Sequence, residues 1–189
     1  MTEKAILFDS TKCMACRACQ VACKQWWELP GVATTNHGTY ENPSDLSPET
    51  WNRIRFKEIE TKGTVRWLFT RQSCMHCTDA TCVWVCPSYA RSYSPQGYVV
   101  IDAERCIGCA RCMAYCPIGI PRIGSEKVSP RITVQLAGSR VIAYKCEFCK
   151  DRVENGLIPS CVKTCPPGAL QFGDRTELIE RGRAKVKDV

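Results

Sequence analysis

Apolar and polar residues alternate along this chain in short stretches. None of the apolar runs approaches the roughly 20 residues needed to span a bilayer. Residues 4–9 (Lys-Ala-Ile-Leu-Phe-Asp), 64–70 (Thr-Val-Arg-Trp-Leu-Phe-Thr), 98–102 (Tyr-Val-Val-Ile-Asp), 141–144 and 169–172 each predict a strand. Residues 19–27 predict a helical turn or two carrying Trp26 and Trp27, stopped by Pro30-Gly31. Residues 176–185 have helical composition, with a threonine cap and Glu177 near the start. Between the first helix and the strand at 64, residues 31–63 lack cysteine and are rich in turn formers (Gly31, Gly38, Asn42-Pro43, Ser47-Pro48), with one weak helix or strand near 51–59. Such a polar insertion reads as partner-facing. Residues 123–139 read as a loop or hairpin.

Four cysteine quartets sit between these elements. The third, Cys106, Cys109, Cys112 and Cys116-Pro117, has the spacing C-x2-C-x2-C-x3-C-P, the signature of a bacterial-type ferredoxin. In that motif three thiolates clasp one [4Fe–4S] cube and the fourth reaches a different one, so each motif implies a partner. The first quartet (Cys13, Cys16, Cys19, Cys23) has the same spacing, with Lys24 in place of the proline. The second (Cys74, Cys77, Cys82, Cys86-Pro87) widens the middle gap to x4, and the fourth (Cys146, Cys149, Cys161, Cys165-Pro166) widens it to x11, with Asn155-Gly156 marking a turn.

Two blander readings compete for the 16 cysteines. A disulfide scaffold belongs to secreted chains, and nothing at Met1-Thr2-Glu3-Lys4-Ala5 resembles a secretory signal. Zinc ribbons use two C-x2-C pairs per tetrahedral ion and do not need the third cysteine and the C-P. The net charge of +7 invites a nucleic-acid reading, but four [4Fe–4S]2+ sites with sixteen thiolates carry about −8. The basic residues are also dispersed (Arg53, Arg55, Lys57, Lys62, Arg66), so no nucleic-acid partner is expected. His37 and His76 are too few for an acid–base constellation, and no G-x-G-x-x-G or P-loop is present. Trp84, Tyr115 and Phe148 lie between ligands and are expected to shield clusters from water. No catalytic residue is expected: the chain reads as a wire, with substrate chemistry elsewhere.

Strand, cysteine loop, short helix and strand recur, and two such units make one ferredoxin module. The fold class is therefore α+β, two bacterial ferredoxin-like modules related by a pseudo-twofold with an inserted loop region. Metal supplies the staples that modules this small need.

The quartets, in this order and with x11 in the last, resemble the four-cluster electron-transfer subunits of molybdopterin or tungstopterin oxidoreductases. Three segments (Cys19-Gln20-Val21-Ala22-Cys23-Lys24-Gln25-Trp26; Gly38 to Ser47 ahead of Trp51; Cys161 to Pro166 ahead of Gly168-Ala169) bring it nearest the iron–sulfur (beta) subunits of formate dehydrogenases. The resemblance implies crossed ligation. Cys13, Cys16, Cys19 and Cys165 would hold cluster 1, and Cys23, Cys146, Cys149 and Cys161 cluster 2. Cys74, Cys77, Cys82 and Cys116 would hold cluster 3, and Cys86, Cys106, Cys109 and Cys112 cluster 4. Residues 1–30 with 140–175 would then form one module and 64–122 the other, leaving 31–63 as the insertion and 176–189 as a C-terminal helix and tail.

The resemblance also implies a large Mo/W-pterin catalytic partner, for formate oxidation or CO2 reduction, docked nearest cluster 1. A downstream acceptor (a cytochrome, a ferredoxin or another subunit) would take electrons from cluster 4. Membrane-bound relatives add a C-terminal transmembrane helix. This chain ends in a charged tail, so no direct membrane span is expected, and its compartment is cytoplasmic, or periplasmic by co-export with a signal-bearing partner. A subunit serving polysulfide, thiosulfate, dimethyl sulfoxide or aldehyde chemistry, and a free-standing polyferredoxin, are the alternatives.

Overall fold

Four antiparallel sheets, each only two strands wide, carry the cysteine loops in a computed structural model that describes residues 2–132, 134 and 140–187. Strand β1 (Lys4–Phe8) pairs with β8 (Leu170–Asp174), so the outermost strands of the chain share one sheet. β2 (Asn52–Thr61) and β3 (Thr64–Ser73) form a hairpin. β4 (Arg91–Tyr93) pairs with β5 (Val99–Ile101), and β6 (Arg122–Ser125) with β7 (Val141–Tyr144). The helices are α1 (Ala18–Trp27), α2 (Thr81–Trp84), α3 (Arg111–Ala114), α4 (Lys150–Glu154), α5 (Ser160–Lys163) and α6 (Arg175–Lys187). A mixture of short helices and strands is what an α+β chain should show.

The quartets leave the same imprint each time. The third cysteine is the second residue of its helix in α1, α2, α3 and α5: Cys19, Cys82, Cys112 and Cys161. Three of these helices stop after one turn because the fourth cysteine is followed by proline, which disfavours a helical residue before it. The chain then turns back, and the backbone N–H groups of Tyr89, Gly119 and Gly168 donate to the carbonyls of Cys86, Cys116 and Cys165 at 3.2, 3.0 and 3.2 Å. In α1, Lys24 replaces proline and the helix runs on to Trp27. There the Lys24 ammonium donates to the carbonyls of Pro30 and Glu49 at 2.9 and 2.7 Å, tying the helix end to the insertion.

The segment expected as one weak element near 51–59 is the full strand β2, and the strand expected at 64–70 extends through Ser73 as β3. Lys62 and Gly63, both at positive φ (51° and 75°), make the two-residue turn whose twist suits a hairpin. The hairpin is fixed to α1 by the Asn52 amide donating to the Cys19 carbonyl (2.8 Å) and the Ile54 N–H donating to the Gln20 side-chain oxygen (2.8 Å). β6 is followed by a 3-10 turn, Glu126–Val128; the rest of the loop expected over 123–139 lies partly outside the described residues. The cap of α6 is Asp174, whose carboxylate accepts from the Thr176 N–H at 3.0 Å, so Thr176 is capped and does not itself cap.

Apolar burial concentrates where the halves of the chain meet. Trp27 packs on Trp51 (ring centroids 5.1 Å) and Trp51 stacks on Tyr144 (5.9 Å), with Cys23, Cys106 and Cys112 buried in the same cluster. Each fully buried aromatic side chain of this size contributes roughly 1.5–3 kcal/mol. Sulfur ligands thus occupy positions that apolar side chains would fill in another small domain.

Candidate metal centres

The loop residue just before the second cysteine of each quartet is left-handed: Ala15 (φ 54°), His76 (47°), Gly108 (67°) and Phe148 (58°). Only one of the four is glycine, and a non-glycine residue there costs roughly 1–2 kcal/mol. The fold holds this geometry four times over, and it curls each C-x2-C loop around a common interior. In three sites a backbone N–H reaches a cysteine sulfur at 3.4 Å: Ile120 to Cys116, Phe148 to Cys146 and Leu170 to Cys165. Such donors stabilise thiolate charge and tune whatever the sulfurs bind.

Two cavities collect cysteines from different quartets. One is lined by Cys86, Cys106, Cys109 and Cys112 under β7. The other is lined by Cys74, Cys77, Cys82 and Cys116, with Lys145 at its wall. Elsewhere the sulfurs raise one another's pKa, which places them close together. Cys19 is pushed up to about 11 by burial, against the pull of Arg71, with Cys13, Cys16 and Cys165 adding to the rise. Burial carries Cys23 well above the usual thiol value, reinforced by Cys146, Cys149 and Cys161. Burial takes Cys149 to about 12 and Cys161 to about 11. Cys86 is the exception. Burial raises it, yet the Ser88 hydroxyl and the N–H groups of Arg91, Ala90 and Ser88 outweigh that and leave it below the ordinary value.

The four groups also adjoin in series. Cys161 feels Cys19, Cys74 feels Cys146, and Cys82 feels Cys112. Cations stand at the same junctions, Arg91 buried and Arg71 half-buried. An Arg71 guanidinium nitrogen lies 3.9 Å from Cys161 Sγ, and one of Arg91 lies 3.3 Å from Cys112 Sγ. Arg71 Nε and Arg91 Nη1 are buried without a hydrogen-bond partner among the described residues. Buried donors of this kind require an acceptor, and a [4Fe–4S] group held by these cysteines would supply one. None of the sixteen cysteines is in a disulfide. Soft thiolates facing shared cavities, with N–H donors and cations around them, are the donor set that iron–sulfur groups take.

Lys145 and Glu147 form a buried ion pair at 2.9 Å, their side chains 0% and 3% exposed. His76 packs edge-on against Phe148 and Tyr98, and its Nδ1 bonds the Val99 carbonyl at 3.1 Å. Burial, with Lys145 and Arg71 nearby, holds it well below the usual imidazole pKa, so it is neutral and Nδ1 is the donor. Phe148, 3% exposed, lines a cavity with Cys74, Cys77 and Cys146, whereas Trp84 and Tyr115 are 76% and 59% exposed and face largely outward. The cysteine pattern did not reveal Arg71, Arg91 or Lys145. The available signal was a cation inside an otherwise strand-forming run a few residues from a quartet.

Among the described residues no helix is long and apolar enough to cross a membrane. Residues 65–175 and 12–90 match two families, each described as a 4Fe-4S dicluster domain. The chain is 41% identical over 185 residues to the nitrate-inducible formate dehydrogenase iron-sulfur subunit of Escherichia coli K12, covering 97% of this chain and 58% of that protein. It is 38% identical to formate dehydrogenase 2 subunit beta (cytochrome c-553) of Nitratidesulfovibrio vulgaris, covering 98% and 83%. With formate dehydrogenase subunit beta of Megalodesulfovibrio gigas it shares 33%, covering 99% and 84%. The chain thus spans less than three fifths of the length of the Escherichia coli relative. Sixteen cysteines in two dicluster domains provide for four [4Fe–4S] clusters. The serial sulfur sets, the dicluster domains and these identities over nearly the whole chain make it a member of the family of formate dehydrogenase iron–sulfur (beta) subunits.

Proposed function

We propose that this chain carries single electrons between a Mo/W-pterin catalytic subunit that interconverts formate and CO2 and a downstream acceptor. The observation that carries the reading is that four cysteine sets follow one another within electrostatic reach: Cys19 of Cys161, Cys146 of Cys74, and Cys112 of Cys82. Sites in series are what a wire requires, and no acid–base constellation competes for the role.

The ligand sets are Cys13, Cys16, Cys19 and Cys165; Cys23, Cys146, Cys149 and Cys161; Cys74, Cys77, Cys82 and Cys116; and Cys86, Cys106, Cys109 and Cys112. The two cavities lined by the last two sets support this division, as does the mutual elevation of thiol pKa within the first two. The modules then pair the first quartet with the fourth and the second with the third, related by a pseudo-twofold. When bound, a [4Fe–4S] group supplies one-electron chemistry with no bond made or broken. The chain's own part is to deprotonate and hold sixteen sulfurs, to direct N–H groups from Ile120, Phe148 and Leu170 at them, and to exclude water with Phe148 and the Trp27–Trp51–Tyr144 stack. The high thiol pKa values of Cys23, Cys149 and Cys161 mean that deprotonation there is driven by the metal.

Anaerobic purification with the native partner tests the whole reading. Expected are about sixteen irons per chain, EPR signals of interacting reduced clusters, and formate-dependent dye reduction by the complex. Far fewer irons would overturn the cluster assignment. Full iron with dye reduction by another substrate would overturn the formate partner alone. The relative named hydrogenase-2 operon protein HybA of Escherichia coli O157:H7, 32% identical, makes hydrogen one substrate to include.

A further inference from the structure

The β2–β3 hairpin, residues 52–73, lies between the first two quartets and ends immediately before Cys74. Its inner end is anchored on α1 through Asn52 and Ile54, and β3 carries Arg71 inward from there. Arg71 lies near four sulfurs, Cys161, Cys146, Cys19 and Cys23, which belong to two adjoining sets. Among the described residues its side chain donates to Cys161 Sγ at 3.9 Å, its Nε has no partner, and no carboxylate pairs with it. Arg71 is half-buried with its Nε enclosed, and a cation held so is disfavoured by desolvation unless anionic neighbours compensate it. Among the described residues, the anions beside it are the thiolates and what they ligate.

We infer that Arg71 is a fixed counter-ion shared by clusters 1 and 2, delivered by the β2–β3 hairpin to raise the reduction potential of cluster 2, with Arg91 doing the same for cluster 4. This rests on the ligand sets proposed above. Reducing a [4Fe–4S]2+ site takes one electron from a reduced neighbouring cluster and adds one negative charge. No proton moves, since arginine does not release its own. A positive charge at sulfur distance favours the reduced form, and in a dry site that preference is large. Arg71 reaches the Cys161 side first and Cys19 less closely, so cluster 2 gains more than cluster 1, and electrons pause there instead of returning. Arg91 repeats the arrangement from β4, with Cys112 nearest and Cys82 beyond. Glu147 lies close to Arg91 and dilutes its field, so Arg71 is the stronger of the two.

The test is redox titration followed by EPR on the anaerobically purified native complex carrying Arg71→Met, Arg71→Lys or Arg91→Met, with iron counted in each. In Arg71→Met one cluster should show about a tenfold fall in its reduced-to-oxidised ratio at fixed ambient potential, about 59 mV for one electron. Arg71→Lys should recover most of that shift, and Arg91→Met should move a different cluster. Arg71→Met and Arg71→Lys shifting equally, or neither shifting, overturns the counter-ion role. So does loss of iron from every uncharged variant, which would make Arg71 a structural pin. Cys161→Ser separates this from the ligand sets. If it perturbs a cluster other than the one Arg71→Met shifts, the placement of Arg71 fails while a full iron count keeps the four-cluster reading.

Discussion

Gly108 offers the sharpest test of how the loops hold their ligands. It lies between Cys106 and Cys109 at φ 67°, and a Cβ there would stand 2.5 Å from the Val141 carbonyl oxygen and 2.6 Å from Val141 Cγ2. Gly108→Ala therefore pays twice. The left-handed conformation costs roughly 1–2 kcal/mol with a side chain present. Pushing the loop off the rigid β7 backbone adds roughly 1–3 kcal/mol of overpacking. The sum, about 2–5 kcal/mol, lowers the closed population of that loop by a factor of about 30 at its lower end. Gly119→Ala is the matched control. Gly119 is also left-handed (φ 58°), but nothing lies within 4 Å of its Cβ position, so only the strain applies. Anaerobic iron analysis with EPR should show Gly108→Ala losing about four irons, those of the Cys86/Cys106/Cys109/Cys112 site, with the other signals kept. Gly119→Ala should keep its iron and melt a few degrees lower. If both variants keep full iron and the native melting temperature, the picture of loops pressed against strands is wrong.

Replacing Lys145 by Met or Glu147 by Gln should each cost roughly 3–5 kcal/mol in denaturant unfolding, because an uncompensated buried charge remains; replacing both by apolar residues should restore most of that. Burial raises the Glu41 carboxyl, but the Phe56 N–H and Arg53 outweigh it and hold it below its usual 4.5. Because the folded chain binds that proton less tightly, Glu41 contributes stability above pH 4.5 that is lost as the pH falls below it. Hydrogen-exchange protection of the Phe56 amide should follow this course, and Glu41→Gln should flatten it. Lys24→Pro would place in α1 the residue that ends α2, α3 and α5, breaking the helix at a cost of roughly 3 kcal/mol and freeing the carbonyls of Pro30 and Glu49; a far-UV dichroism loss with a lowered melting point is the readout. Chelating the iron should collapse far-UV dichroism cooperatively, since two-stranded sheets and strained loops do not hold alone.

The cysteine loops were legible because their chemistry is local. A ligand spacing dictates a loop, a proline after the fourth cysteine dictates a stop, and the helices at Cys82, Cys112 and Cys161 follow. The exception at Lys24 was visible as a missing proline, and its meaning, a longer helix, appears in α1. The hairpin was only half legible. Asn52–Thr61 mixes Arg, Lys and Glu with Ile and Phe because much of it faces solvent, which blurs strand alternation; Lys62-Gly63, flanked by two such runs, was the stronger cue. Asp174 outcompeted Thr176 as the cap because β8 delivers it one residue ahead of α6. Trp84 and Tyr115 show a further limit: nearness to a ligand in sequence does not fix which way a side chain faces. Arg71 and Arg91 were hidden because their partners come from distant quartets.

The pairing of β1 with β8 sets a timetable for synthesis. Phe8 is made well before Leu170 and must wait for it, while β4 and β5 can meet as soon as Ile101 has left the ribosome. Contacts so distant along a chain form slowly, and an unmatched strand edge invites aggregation while it waits. The molecule therefore matures from its centre outward, with β1 among the last strands to find its neighbour, and a cell producing it must guard those exposed residues until Leu170 has emerged.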